Sequence, residues 1–404
     1  MKIIYLHQYF NNLEMSGGTR SFEIARRLVA QGHEVHLITS WREVNSNSGW
    51  FQTLEEGIHV HWLPIPYSNK MSYGERIRAF FKFAISSSFR ASKLKGDVVI
   101  ATSTPLTIFI PGIFASIKNK IPLVFEVRDL WPELPIAMGA INNRVLIVLA
   151  RLLEYVAYSS AHKIVALSVG MKEGVERRNV DAKKIEVIPN GSDTQLFFPN
   201  PSAGADFRKR VLGNKIGRLI VYAGTLGHIN GVGYLVEMAG IAKNRGLDLF
   251  FLIVGDGAEK EKIFDKAVQL GVLGENLFMI PPVQKRDMPE VFSAADMIVS
   301  LFIDLESMWA NSANKFFDGL ASGTPIAINY QGWQASLLKK HGAGVVLPAR
   351  DPEGAVSLLH SFFEDEAQVL STGEAARELA VREFDRDGLA KKFENVLLDA
   401  VVKK

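Results

Sequence analysis

The sequence predicts an α/β protein of two doubly wound domains, each a mainly parallel sheet with helices on its faces. Three observations predict it. The chain of 404 residues is too long for one ordinary core and suits two domains of roughly 200 residues each. It opens with a strand–glycine loop–helix–strand series at residue 2, and the same series restarts near residue 218. Beyond each opening, strand-like and helix-like segments go on alternating, which is the pattern of parallel sheets with helical crossovers.

Lys2–Leu6 is a short apolar run suited to a strand buried on both faces. The loop after it ends Ser16-Gly17-Gly18-Thr19. A helical stretch follows, with apolar positions at Phe22, Ala25, Leu28 and Val29, and stops at Gly32, the expected C′ glycine. His33–Thr39 is the second strand, and the crossover makes the pair parallel. In the second half Leu219–Ala223 is a strand and Gly224–Gly227 a glycine turn. After Gly231 a helix runs through Leu235, Met238, Ala239 and Ala242 to Gly246. Leu249–Val254 is the next strand and closes on Gly255-Asp256-Gly257. Alternation continues at Asn276–Ile280, Met288–Ala295, Met297–Leu301, Asn314–Ala321 and Ile326–Asn329. Turn residues cluster at Ile188-Pro189-Asn190-Gly191, which sets the expected domains at 1–189 and 190–380. The last helix spans about Arg386 to Val402 within a terminal segment 381–404. Open α/β sheets bind ligands beyond the carboxyl ends of their strands, so the site is expected in a cleft where the two sets of ends face each other.

Composition narrows the function. A net charge of +3 argues against a nucleic-acid partner. The chain has no cysteine, which removes disulfides, thiolate metal sites and a cysteine nucleophile. The nine histidines have no metal-ligand spacing, and Asp304-Leu305-Glu306 is a poor match to the acidic motif of metal-dependent transferases, so no metal or other cofactor is expected. The apolar run at the N-terminus is too short for a signal peptide, and no stretch reaches the roughly 20 apolar residues needed to span a bilayer. The expected location is cytoplasmic.

Two loops could hold phosphate. Gly17-Gly18 lies between the first strand and first helix, where glycine allows close backbone approach and helix N-terminal amides attract anions. Taken alone, an ordinary βα turn is the simpler reading. The spacing is not G-x-G-x-x-G, which argues against a dinucleotide-dependent dehydrogenase. Gly224-Thr225-Leu226-Gly227 holds the same place in the second half. Together the loops point to a diphosphate. The most specific segment is Asn311 to Pro325. In it Asn314 is expected to cap a helix, Lys315 to add a positive charge beside the first amides, and Asp318 to accept two hydroxyl hydrogen bonds, as from a ribose diol. A plain helix with a solvated Lys and Asp is the competing reading.

Gly17-Gly18, Gly32-His33-Glu34-Val35, Pro189-Asn190-Gly191-Ser192-Asp193, Tyr222-Ala223-Gly224, Val254-Gly255-Asp256-Gly257 and Asp318–Pro325 occur in this order. Together they resemble the large family-four retaining glycosyltransferases of the GT-B fold. Val127-Arg128-Asp129-Leu130-Trp131-Pro132-Glu133 and Asn314-Lys315-Phe316-Phe317-Asp318 resemble the bacterial branch that builds O-antigen and capsule repeat units. The resemblance covers nearly the whole chain, and it implies that the last helix, in segment 381–404, returns to the first domain. It implies a metal-independent transfer from a nucleotide diphosphate sugar, with UDP as the expected nucleotide, to a lipid-linked acceptor, with anomeric configuration retained. It places Gly18 over the donor diphosphate, Gly224 and Gly227 in the donor loop, and Pro282-Val283 near the base; Gly17, Thr225 and Gly255 beside them are expected to line the donor site as well. Asp318 matches the second acid of the family's E-x7-E motif.

Three positions depart from that pattern. Ala310 stands where the first acid would be, and Thr225 and Asn230 stand where the family has an arginine and a lysine. Lys315 is the expected replacement for the missing cations, since a leaving diphosphate without metal needs a positive charge. Glu306 could supply the missing acid or be a surface residue. Arg128 and Asp129, following the strand Leu123–Val127, are expected either to contact donor or acceptor sugar or to form a buried structural ion pair. The same features leave open a nucleotide-sugar epimerase, or a non-catalytic sugar-nucleotide-binding subunit.

Lys70 to Lys95 holds seven basic residues and one acid, Glu75. Within it Ile77, Phe80, Phe81, Ala84, Ile85 and Phe89 fall at helical spacing, with Arg76, Arg78 and Lys82 beside them. Such a helix can lie on an anionic membrane surface, which is the expected docking element on the inner face of the cell membrane; the competing reading packs the stripe into the domain.

Overall fold

The computed structural model of the chain describes residues 1–15, 17–43, 49–67, 71–139 and 141–402. Ser16 of the first glycine loop, Lys70 of the basic stretch and residues 403–404 of the terminal segment lie outside the described residues. The chain divides into two compact units, Met1–Pro189 with Asp387–Lys404, and Asn190–Arg386.

The first unit contains β1 (Lys2–Leu6), α1 (Arg20–Ala30), β2 (Glu34–Trp41), β3 (Phe51–Glu55), β4 (Ile58–Pro64), α2 (Tyr73–Lys93), β5 (Val98–Thr102) and α3 (Phe109–Asn119). It continues with β6 (Leu123–Val127), α4 (Glu133–Ala137), α5 (Arg144–Ser160), β7 (Lys163–Ala166), α6 (Val169–Glu176) and β8 (Ile185–Val187). Its eight strands are ordered β3-β4-β2-β1-β5-β6-β7-β8. All neighbours are parallel except β3, which pairs antiparallel with β4 at the edge. β1, β5 and β6 are apolar almost throughout and buried, as strands covered on both faces must be.

The second unit contains α7 (Pro201–Leu212), β9 (Arg218–Ala223), α8 (Gly233–Asn244), β10 (Leu249–Val254), α9 (Lys260–Gln269), β11 (Leu277–Ile280), α10 (Met288–Ser293) and β12 (Met297–Ser300). It ends with α11 (Asn314–Ala321), β13 (Ile326–Ile328), α12 (Trp333–His341), β14 (Gly344–Val346), α13 (Pro352–Glu364) and α14 (Glu366–Glu383). The order β11-β10-β9-β12-β13-β14 is the doubly wound arrangement, with its switch point between β9 and β12. In the first unit the corresponding point lies between β1 and β5.

The final helix, α15 (Arg386–Val402), buries Leu389, Phe393, Val396, Leu397 and Ala400 in the same cluster as Ile3, Tyr5, Leu28 and Val35 of the first unit. Arg27 of α1 adds an ion pair to Asp387 at 2.6 Å. A buried arginine ties the first glycine loop to the end of the unit. Arg20, the first residue of α1, donates to Glu126 of β6 at 2.9 Å and to the carbonyls of Pro189 and Ile188 at 2.7 and 2.8 Å.

Phe393 is fully buried. Phe393→Ala is therefore expected to destabilise the first unit by about 3–5 kcal/mol. In calorimetry this appears as an earlier transition for that unit, with the second unit's transition unmoved.

Candidate active site

In the first unit the candidate residues lie where the strand order says they should, in the loops that leave β1, β2, β5 and β6 at their carboxyl ends. A pocket of about 250 Å³ is lined there by His7, Tyr9, Asn11, Gly17, Gly18, Arg42, Thr104, Arg128 and Asp129. Gly17 has φ +128°, and a Cβ on it would stand 2.6 Å from Asn11 Nδ2. That amide donates to Gly18 O at 3.3 Å and so fixes the loop over the pocket. Arg42 donates to the same Asn11 side chain.

Arg128 and Asp129 form no ion pair with each other. Arg128 Nη1 instead donates to His7 Nε2 at 3.1 Å, and Thr104 donates to Asp129 at 2.9 Å. The structural ion pair considered for them is thereby replaced by two separate contacts on the pocket wall. The reason is their consecutive position after β6, which sends one side chain toward β1 and the other toward the β5 loop. Burial, with the positive charge of Arg128 and Arg42 added, holds the His7 imidazole well below its ordinary value. It is neutral, and since Nε2 accepts from Arg128, Nδ1 carries the proton. That Nδ1 is buried and has no hydrogen-bond partner among the described residues. Burial also raises the Asp129 carboxyl.

In the second unit the candidate residues follow β9, β10, β11 and β12. Lys315 Nζ donates to Tyr222 Oη at 2.9 Å and stands 4.3 Å from the centre of the Tyr222 ring. The Tyr222 hydroxyl in turn donates to Thr225 O at 2.8 Å. Burial draws the Lys315 ammonium down to about 7, because a cation loses more hydration than one hydroxyl and the Tyr222 and Phe302 rings return. Gly224 makes room for it: a Cβ there would lie 3.1 Å from Lys315 Cε and 3.2 Å from Nζ. Gly255 supports the same loop, since its own Cβ would stand 2.0 Å from Gly224 O. Thr225 is exposed and Gly227 half-buried on the far side of the turn.

Asn314 does not cap α11. It is the first helical residue, and the N-cap is Ala313, which uses no side chain. The asparagine that orders this terminus is Asn311, whose side chain accepts from Ala313 N at 3.2 Å and donates to Met308 O at 2.7 Å. The turn Glu306–Met308 starts the chain earlier toward the helix than the sequence pattern suggests, and Glu306 itself is exposed. Asp318 is buried. Its carboxylate accepts from Ser192 Oγ at 2.8 Å and faces Lys285 Nζ at 3.3 Å. Lys285 comes from the segment after β11 that also holds exposed Pro282 and half-buried Val283.

Sequence reasoning missed His7, Asn11, Arg42, Thr104 and Lys285. None belongs to a contiguous motif. The one available signal was their position just beyond a strand's carboxyl end.

Residues 17–191 match the glycosyl transferase 4-like domain, and residues 205–379 match glycosyl transferases group 1. The chain is 25% identical to an Escherichia coli K12 protein named as a colanic acid biosynthesis glycosyl transferase, over 95% of this chain and 96% of that one. It is 24% identical to the Escherichia coli UDP-Gal:α-D-GlcNAc-diphosphoundecaprenol α-1,3-galactosyltransferase, over 62% of this chain and 64% of that one. Among solved structures, Anabaena HepE in complex with UDP and glucose superposes with a TM-score of 0.73 at 17% identity, covering 99% of this chain and 100% of that one.

Gly255→Ala is expected to destabilise the second unit by at least about 2 kcal/mol, because backbone must move to clear the clash. For a unit of this size that is roughly 4–8 °C in its Tm, read by calorimetry against Gly246→Ala, whose Cβ would meet nothing within 4 Å.

Proposed function

The chain belongs to the glycosyltransferases, with a 4-like domain followed by a group 1 domain on the GT-B fold, and we propose that it moves a sugar from a UDP-sugar to a lipid-linked saccharide in bacterial surface polysaccharide synthesis. The second unit binds the donor and the first binds the acceptor. The observation that carries the reading is Lys315, a partly desolvated ammonium between the glycine turn after β9 and the first turn of α11. Leaving diphosphate builds negative charge, and a preorganised cation at a helix N-terminus stabilises that charge more in a dry site than in water. Thr225 and Asn230 carry no charge, so this role falls to Lys315 without a metal. Pro282-Val283 and Asp318 hold the nucleoside, with Asp318 exchanging its contact to Lys285 for ribose hydroxyls.

In the first unit, Arg42 and Arg128 give the pocket two guanidiniums, and the orphan Nδ1–H of His7 gives it a neutral donor. That set suits the phosphate of a diphosphate-linked acceptor, the acceptor type named for the related galactosyltransferase. Asp129 and the glycine loop at Gly17 and Gly18 border the sugar to be extended. Retention follows if the hydroxyl attacks on the face of the leaving group and the departing phosphate takes its proton. The chain acts at the cytoplasmic face of the membrane, with Arg78 and Lys82 exposed on α2 and Arg76 half-buried over the Tyr67 ring.

Lys315→Ala is expected to lower turnover about 10²- to 10³-fold; near-normal turnover would sink the assignment. Lys315 also makes donor binding depend on pH. Its ammonium titrates at about 7 in the free chain, and a neighbouring diphosphate raises that value. UDP-sugar affinity is therefore full below pH 7 and falls above it, by up to about tenfold per pH unit. Titration calorimetry should detect proton uptake on binding at pH 8, lost in Lys315→Ala. Arg42→Ala is expected to raise KM for a diphosphate-linked acceptor about tenfold or more, while the thermal shift produced by UDP-sugar stays unchanged.

A further inference from the structure

α5 presents an apolar face that no described residue of its own unit covers. Val145 and Val148 are 66% and 65% exposed, and Leu146, Leu149, Leu152 and Tyr155 are about half exposed. The charges on that side are Arg144 and Arg151, both exposed. The single acid of α5, Glu154, is turned inward and buried, 2.9 Å from Arg178.

The face continues over two further helices. α3 packs against both α5 and α2 and exposes Phe114 and Ile117. On α2, Ile77, Phe81, Ile85 and Phe89 stand exposed four residues apart, and the Phe89 and Phe114 rings meet at 5.8 Å. Arg78 and Lys82 are exposed beside this row. The only acid of α2, Glu75, is bound in the capping box with Ser72 at the helix start. The expected stripe on α2 is thus divided. Ala84 is buried and Phe80 half-buried, whereas Ile77, Phe81, Ile85 and Phe89 face outward, because Ala79, Phe83 and Ala91 are the residues turned to the core.

We propose that this three-helix face docks the chain on an anionic bilayer, with α5 lying in the interfacial plane as the main inserting element. Charge selects the occupant. A second copy seated on the same face would oppose Arg78, Lys82, Arg144 and Arg151 with their own kind, whereas anionic headgroups neutralise all four. The apolar side chains then enter the acyl boundary. No helix among the described residues is long and apolar enough to cross a membrane, so α5, about 25 Å long, lies on the surface.

The inner side of α5 connects this surface to the pocket. Glu154 pairs with Arg178, and Arg178 pairs with Glu133, the first residue of α4. Glu133 follows the loop that carries Arg128 and Asp129. The docking deepens the lipid-linked acceptor reading above, and its usefulness to the enzyme rests on that reading, but vesicle binding can be measured without it.

The test is co-sedimentation of the full chain with phosphatidylcholine vesicles, with and without about one-third phosphatidylglycerol. Wild type is expected to bind the anionic vesicles and to be released by salt. Val148→Glu with Leu152→Glu, at two exposed positions, is expected to lose at least tenfold in binding with unchanged Tm. The matched pair Phe264→Glu and Val268→Glu on exposed α9 of the other unit is expected to bind as wild type. Failure of wild type to bind at low salt, or unchanged binding by the Val148/Leu152 variant, overturns the proposal. So does a concentration-dependent dimer in analytical ultracentrifugation that the same variant abolishes. If vesicles bind but UDP gives no thermal shift, the transferase reading fails and the docking stands.

Discussion

An ammonium group kept out of water at the carboxyl end of β9 is the constraint around which the second unit's loops are arranged. Lys315 can stand beside Tyr222 only because residue 224 has no side chain. Gly224 can run where it does only because Gly255 lets the two backbones touch. Asn311 fixes the start of α11, and with it the root of the lysine. Each feature costs local freedom. Together they leave a cation whose proton is held loosely, at about 7, and is held more firmly once negative charge arrives.

The first unit solves a related problem in another way. Its cations are guanidiniums, which stay charged when partly buried. Arg128 rests on a neutral His7, and Arg42 rests on Asn11, whose amide also pins the glycine loop. Four loops meet in one pocket because β1, β2, β5 and β6 are parallel and adjacent about the switch point. The buried Arg20–Glu126 pair, with the carbonyls of Ile188 and Pro189, anchors the start of α1 beneath them.

Much of the fold was legible because parallel strands buried on both faces write themselves as short apolar runs, as Lys2–Leu6 and Leu249–Val254 do. Glycines after β1, β9 and β10 marked where backbone must approach something closely. Strand ends were less legible: β2 runs to Trp41 and β12 stops at Ser300, because pairing and not composition decides the last rung. The antiparallel edge strand β3 was not read, its residues being mostly exposed. The cap of α11 falls at Ala313, one residue before the expected Asn314, and the asparagine that orders the turn is Asn311, since two asparagines bracket the turn and only the backbone path chooses between them. His7, Arg42 and Thr104 became neighbours through sheet order, which no local pattern encodes. α5 is apolar on nearly every side, so its sequence alone resembles a core helix, and its outer face emerged only with the three-dimensional packing.

A structure of the full chain with bound UDP tests the central claim most directly. The expected result has Lys315 Nζ moved off the Tyr222 hydroxyl to within about 3 Å of a β-phosphate oxygen, with that phosphate over Gly224. A β-phosphate bound elsewhere, with Lys315 still on Tyr222, would contradict it.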